Sequence, residues 1–510
     1  MVTELHLTNK PMRSIKLLPF LALLFILKTQ SSRSQTEGDA FFAMAQVHDI
    51  YMSFPQANYW DSLVAYMPAE QYLKANITID GTAFTDVGIK FKGNSSYSNP
   101  SQKKPFKIDL NEFVSGQKID GLKKFNLNNG FKDPSFMREK VALDFYNEHG
   151  LAAPRCAYAR VYLNGVYWGL YTFVEEVNKT FLDDDNRFGN KQGNLFKGDP
   201  SGDLRWLGAG LSPYYAKYEL HTNETANDWS DLIHFIDKIN NSGSFFYDSL
   251  ETVLNTNSFI RQWAALNVFV NLDSYIGSGH NYFVYHDTLS DKFEWVSWDV
   301  NESFGNFNMG LTNTQLKNLS MFHVSPPASS RPLVQQMLTV PAYRNLLIST
   351  ICQWMENDFT NAALDPKIDS LANAIRADVY ADTKKFYSNT DFDNNLSADV
   401  GMTMGIKSFI SARRAALLAE LAANGCNVGI EEVLQEDAIR IYPNPANESI
   451  IVDFKNSAAD NTFSVYDLTG RLLLYKGNCG SSEQADVSGL PSGMYLVKAN
   501  SHFQKMDIHH

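Results

Sequence analysis

The chain is predicted to be an α+β protein: a strand-rich first half, a mostly helical second half, and a small Ig-like β-sandwich at the end of 510 residues. Three observations carry that expectation. Alternating apolar runs flank a long Gly/Ser/Asn/Pro-rich stretch early in the chain, helical periodicity dominates from about residue 229, and short strands at regular spacing fill residues 439–510. At about 100–200 residues per domain, the length suggests two to four domains.

Before the fold comes an address. Lys10, Arg13 and Lys16 precede the apolar run 17–27, and the small-polar segment 29–35 follows, so residues 1–35 read as a secretory signal peptide. That run is too short to span about 30 Å of hydrocarbon as a helix. No later stretch reaches 18 uninterrupted apolar residues, so no transmembrane segment is expected in the mature form. A net charge of −12 argues against a nucleic-acid partner, because phosphate-backbone affinity needs clustered positive charge. Four cysteines, Cys156, Cys352, Cys426 and Cys479, form no CxxC pair, so neither a zinc site nor a disulfide scaffold is indicated. At most one disulfide is expected, with its partners open.

Residues 87–91 and 106–110 read as two strands joined by the loop 93–105. Ser135 opens a helix over 136–148 that ends at Gly150. Residues 158–163 and 167–174, joined through Asn164-Gly165, make the clearest hairpin, since Asn-Gly tolerates the positive φ of a type I′ turn. Helical periodicity then runs through 229–239, 259–270, 333–347 and 408–423. One β island, 281–286 and 293–298, interrupts it. Glu431, Glu432, Glu436 and Asp437 make 426–437 an acidic linker, and the strands 450–454, 462–466, 472–475 and 495–499 make 438–510 a β-sandwich.

The chemistry gathers around the β island. A hairpin returns its two ends to one place, so Asn281 before the first strand and Asp299 after the second can share a cation, with Asp273 facing the same point from the preceding loop. Hard oxygen ligands with positions left for water and phosphate suit Mg²⁺ or Mn²⁺ better than zinc. An acid off the metal can take a hydroxyl proton, which is the division of labour of phosphoryl transfer. Upstream, Gly93, Asn94, Ser95 and Ser96, followed by Lys103, Lys104 and Lys107, supply backbone N–H groups and cations for phosphates. Glu139 stands on the next helix and the hairpin ends at Glu175 and Glu176, an order similar to that of a protein kinase, where those places hold the Glu that pairs with the phosphate-binding Lys and the hinge whose backbone reads an adenine edge. Capped turns and solvated surface charge are the alternative reading of the same residues.

Five separated motifs over residues 40–425 resemble the CotH (spore coat protein H) atypical protein kinases: Lys92-Gly93-Asn94-Ser95-Ser96 with Lys103-Lys104-Pro105-Phe106, Phe136-Met137-Arg138-Glu139-Lys140, the run 162–171, Asn271-Leu272-Asp273 with His280-Asn281-Tyr282, and Trp298-Asp299-Val300-Asn301. The resemblance implies a two-lobed kinase-like fold, with a β-rich N-lobe and a helical C-lobe. It gives Asp273 the catalytic position, Asn281 and Asp299 the metal, and Lys92, Gly93, Asn94, Ser95, Ser96, Lys104, Glu139 and Glu175 the nucleotide. Lys92 stands where the family commonly has Arg. The tail, through Tyr442-Pro443-Asn444-Pro445, the run 465–471 and Leu490-Pro491-Ser492-Gly493-Met494-Tyr495, is similar to the type A sorting domain of the type IX secretion system of Bacteroidota.

These resemblances imply an exported, metal-dependent Ser/Thr protein kinase using ATP with Mg²⁺ or Mn²⁺, released or held at the outer surface after handling by the type IX machinery. The alternative is a catalytically inactive surface, adhesion or carbohydrate-binding protein on the same fold. ATP is scarce outside the cytoplasm, so the physiological donor stays open, as does the acceptor. The run Asp183-Asp184-Asp185-Asn186 lacks the spacing of an EF-hand and reads as a solvated loop.

Overall fold

The structure is a computed structural model that describes residues 38–39, 41–43, 45–426, 439–454, 461–467, 471–500 and 502–510. The expected signal peptide at 1–35 and nearly all of the acidic linker lie outside the described residues.

Seven strands build the first half: β1 (Val47–Ser53), β2 (Leu73–Ile79), β3 (Thr82–Phe91), β4 (Phe106–Asp109), β5 (Lys124–Asn128), β6 (Cys156–Leu163) and β7 (Val166–Glu175). They close into a barrel in the order β1-β2-β3-β4-β5-β7-β6, and the parallel pairing of β1 with β6 seals it. Alternation explains the strands, since β2 buries Leu73, Ala75, Ile77 and Ile79 and turns the residues between them outward. The barrel core holds Ile50, Ile89, Phe106, Ile108, Phe125, Leu127, Val161 and Phe173. Sequence reading found the pairs β3/β4 and β6/β7 but neither β1, β2 and β5 nor the closure. Asn164 and Gly165 have φ +47° and +82°, the left-handed pair a type I′ turn requires.

Helix α1 (Arg138–Glu148) follows β5. It begins two residues later than expected because Phe136 has φ +59°. Asp133 receives the Ser135 and Arg138 N–H groups at 3.0 and 2.9 Å and so closes the helix start. The helical part then contains α2 (Ser230–Asn241), α3 (Thr256–Val268), α4 (Pro341–Asn357), α5 (Asn361–Ala381) and α6 (Ile406–Ala423). The single helix expected over 333–347 is two, Pro332–Met337 and α4. Val340, forced out of the helical region by the following proline, is extended at φ −95° and ψ 112°. Among the helices sits a sheet of β8 (Leu195–Gly198), β9 (Tyr218–Leu220), β10 (Tyr282–Asp287) and β11 (Lys292–Ser297), in the order β11-β10-β8-β9. A core with Trp263, Trp295 and Trp354 fully buried joins these helices to that sheet.

Cys352 and Cys426 form a disulfide across 74 positions, tying α4 to the end of α6, while Cys156 and Cys479 are buried free thiols. In the chain-entropy picture a cross-link over a span of that length stabilises by about 4 kcal/mol.

Residues 439–510 form two sheets, one of strands 439–442, 449–454 and 482–486 and one of 461–466, 472–479, 493–499 and 502–508. Ile450, Val452, Phe463, Val465, Val497 and Met506 fill a core shared by the two. Among the described residues, no helix is long and apolar enough to cross a membrane.

Candidate functional site

Polar side chains from the barrel and from the helical part gather around the open end of the β10–β11 hairpin. Asn281 and Asp299 flank the two strands, each in the left-handed region at φ +59° and +52°, which Asn and Asp tolerate better than most side chains. Strand register sets Tyr282 opposite Ser297, and the Trp298 N–H donates to the Asn281 carbonyl at 3.2 Å.

Asp273 lies in the turn that follows α3. Its carboxylate accepts from Ser278 Oγ at 3.1 Å and Asn281 Nδ2 at 3.2 Å, and meets His280 Nε2 at 2.8 Å. Asn281 Nδ2 also donates to the Asp273 carbonyl at 2.9 Å, so Asp273 and Asn281 are joined through both main chain and side chain. Burial lowers the His280 pKa, but the hydrogen bond and charge of Asp273, with Asp199 behind them, leave it above its ordinary value. The His280 ring thus faces the Asp273 carboxylate through Nε2.

Asp299 is arranged differently. Its carboxylate makes no hydrogen bond or ion pair among the described residues. Burial and then the charge of Asp273 push its pKa up, against Lys92, Lys197 and His280. Asn281, having committed Nδ2 to Asp273, leaves its Oδ1 without a donor among the described residues. An unpartnered carboxylate and an unpartnered amide oxygen at one hairpin end fit a hard divalent cation that keeps much of its own shell. Among the described residues no group of three or more His, Cys, Asp or Glu is arranged to hold a metal. A cation here would be held by the Asp299 carboxylate and the Asn281 Oδ1.

From the barrel side, Lys92 at the end of β3 donates to Asn128 Oδ1 at 3.2 Å, and its ammonium stands 5.4 Å over the Trp298 ring. Asn128 Nδ2 in turn reaches both Glu139 oxygens at 2.9 Å. Asn128 therefore bridges a lysine and a glutamate. Burial lowers the Lys92 pKa although Asp299 opposes it. Glu139 is pushed up to about 8 by burial and the Asp299 charge, despite Asn128 and Lys92.

The expected nucleotide residues separate. Glu175 ends β7 and Glu176 is the first residue past it, and the two side chains take different partners. Glu175 turns away from the cluster, taking Arg155 Nη2 at 2.7 Å and Arg187 Nη1 at 3.2 Å. Glu176 faces the cluster side, accepting from Lys107 Nζ and Asn126 Nδ2 at 2.7 Å each. Lys104 pins its own loop, donating to the Tyr97 carbonyl at 2.6 Å and to that of Asn99. Lys103 is sequestered with Asp382, both fully buried. Of the four lysines near the loop, Lys92 is the one directed at Asp299. Gly93, Asn94 and Ser95 are exposed, and the loop carries a short helix, Ser95–Ser98, that leaves Gly93 at φ +79°.

Several groups escaped sequence reading. Asn128 carries no spacing signal, for it joins Lys92 and Glu139 across the fold. Glu302 pairs with Lys132 at 2.9 Å, and its other oxygen is buried without a partner. Its position three residues after Asp299, one 3₁₀ turn on, was the available clue. Asp183 pairs with Lys191 and Asp184 approaches Arg187 at 3.7 Å, in keeping with a structural loop rather than a cation site.

Comparison with known proteins assigns the two parts of the chain to families. Residues 440–507 match the family described as secretion system C-terminal sorting domain, which implies handling by type IX secretion and a destination at the cell surface or outside it. The inner spore coat protein H of Bacillus subtilis (strain 168) is 25% identical over 324 residues, 60% of this chain and 82% of that protein. Residues 89–417, more than half of the chain, match the family described as CotH kinase protein. The chain belongs to the CotH kinase protein family and carries a secretion sorting domain behind it.

Proposed function

We propose that the protein is an exported phosphotransferase that moves the γ-phosphoryl group of ATP to Ser or Thr hydroxyls of secreted or surface proteins. The observation that carries this reading is the meeting of Asp273, Asn281 and Asp299 at one hairpin end with Lys92 and Glu139 opposite. Asp273 accepts the proton of the attacking hydroxyl as the oxygen–phosphorus bond forms and the bond to the β-phosphate oxygen breaks, leaving ADP. His280 and Ser278 orient that carboxylate. Lys92, steadied by Asn128 and Glu139, holds the phosphates and offsets their charge. Asp299 and the Asn281 Oδ1 would hold Mg²⁺ or Mn²⁺, which when bound neutralises charge on the phosphate oxygens. On this reading the barrel and the helical part act as two kinase-like lobes that each contribute residues to the site. A signal peptide at 1–35 and passage across the outer membrane complete the route that the sorting domain implies.

Mass spectrometry of the purified protein incubated with ATP and Mg²⁺ or Mn²⁺ tests the reading. Phosphate on its own Ser or Thr residues, missing in Asp273→Ala of normal thermal stability, is the expected result. No phosphate on the protein or on a panel of exported proteins would favour a surface protein without catalysis.

A further inference from the structure

A buried ion pair ties the loop 92–105 to a helix end far along the chain. Lys103, on the returning limb of that loop, meets Asp382 just beyond α5, and neither side chain is exposed. Asp382 is held in turn by the N–H groups of Leu170 at 3.1 Å and Lys384 at 2.9 Å. Its carboxylate stands so close to β7 that a Cβ on Gly169, where φ is +144°, would collide with it. The Lys103 ammonium lies 4.6 Å from the Phe136 ring and 5.2 Å from that of Tyr171, and its carbonyl receives Asn129 Nδ2 at 2.6 Å. Four segments thus meet at one pair: the loop, β7, the approach to α1 and the end of α5.

A buried ion pair gains little over an apolar pair of the same size, because desolvation offsets the attraction. What it does supply is a fixed position, since either charge left alone in the interior is strongly unfavourable. Residues 93–96 and Lys92 occupy the other limb of the same loop, and the Lys92 N–H donates to the Pro105 carbonyl at 3.2 Å across its base.

We propose that Lys103 and Asp382 are a positioning pair for nucleotide binding, locking the loop 92–105 to the end of α5 so that Lys92 and residues 93–96 stand over the cluster before a nucleotide arrives. The inference rests on the phosphotransfer reading. Neither residue touches the phosphates, and each acts through the loop. Kinase glycine-rich loops close over their substrate as flexible lids, whereas here the returning limb is bolted to the helical part.

Three full-length variants test this: Lys103→Met, Asp382→Asn, and the two combined. Each single change strands a buried charge, or breaks the contact that holds it, and lowers the melting temperature. Combining them removes the stranded charge and recovers much of that loss. The combined variant then separates position from stability. Hydrogen exchange in residues 93–105, measured without nucleotide, is expected to be faster than in the wild type. KM for ATP is expected to rise on the order of tenfold, more than kcat falls, as a misplaced binding loop requires. Wild-type loop exchange and wild-type KM in the combined variant would overturn the pair's role. Failure of the underlying reading shows separately, as absence of transfer in the wild type while loop exchange still responds to the substitutions.

Discussion

Two buried carboxylates of the barrel region, Glu175 and Glu139, respond to the fold in opposite ways. Burial raises both. At Glu175 the guanidinium groups of Arg187 and Arg155 more than reverse that effect and hold the carboxyl at about 2. At Glu139 no cation makes direct contact among the described residues, the neighbouring Asp299 adds to the burial, and the carboxyl rises to about 8. The face behind the hairpin is thus charge-matched and structural. The face toward the β10–β11 hairpin is left electrostatically incomplete, as sites awaiting a charged ligand are.

The largest effect expected from this contrast is on transfer. Asp273→Asn keeps the shape of the turn but removes the proton acceptor, and initial rates should fall by about 10²–10⁴. A rate within a few-fold of the wild type would place the base elsewhere. Next comes the matched face. Glu175→Ala leaves Arg155 with Asp39 and Arg187 with the more distant Asp184, and urea unfolding should show a loss of about 1.5–3 kcal/mol, that of hydrogen bonds to a charged group. A loss below about 1 kcal/mol would show that the arginines find other partners.

The pH dependence of stability separates the two acids further. Glu175 has a folded value of about 2 against an ordinary 4.5, so its stabilisation is present above 4.5 and is lost as pH falls from there toward 2. Glu139 binds its proton more tightly when folded, so its favourable contribution is present below 4.5 and is lost as pH rises toward about 8. Glu139→Gln should therefore flatten the decline between those limits, by on the order of 1–3 kcal/mol. An unchanged slope between pH 5 and pH 8 would mean that Glu139 is ionised throughout. The smallest change is expected for His280→Gln, about 1 kcal/mol, from loss of its bond to Asp273. His280 carries a raised pKa, so the difference from the wild type should be full below its ordinary value of 6.5 and fade as pH rises through the folded value. A difference that grows with pH would contradict that assignment.

Much of this was legible before any coordinates. Asn164-Gly165 specified its own turn, and the two ends of the 281–299 hairpin had to meet once its strands paired. Barrel closure was not legible, because β1 and β6 pair across more than a hundred positions with no local signal. The lysines were equally opaque. Lys92, Lys103, Lys104 and Lys107 look alike in sequence, and only their partners, such as an aspartate 279 residues away, divide them into one cluster cation and three with structural bonds. Alternation along β7 bears on Glu175 but not on Glu176, which lies one residue past the strand and carries no such signal. The break before Pro341 was readable and was overridden by the apolar periodicity on either side.

The central claim is that Asp299 and Asn281 complete a divalent cation and nucleotide site. Thermal unfolding of the wild type and Asp299→Ala, each with ATP, with Mg²⁺ or Mn²⁺, and with both together, tests it most directly. A rise of about 3–8 °C in the wild type only when both are present, lost in the variant, is the result expected from ligand binding to the folded state. No rise in the wild type, or an equal rise in Asp299→Ala, would contradict the account.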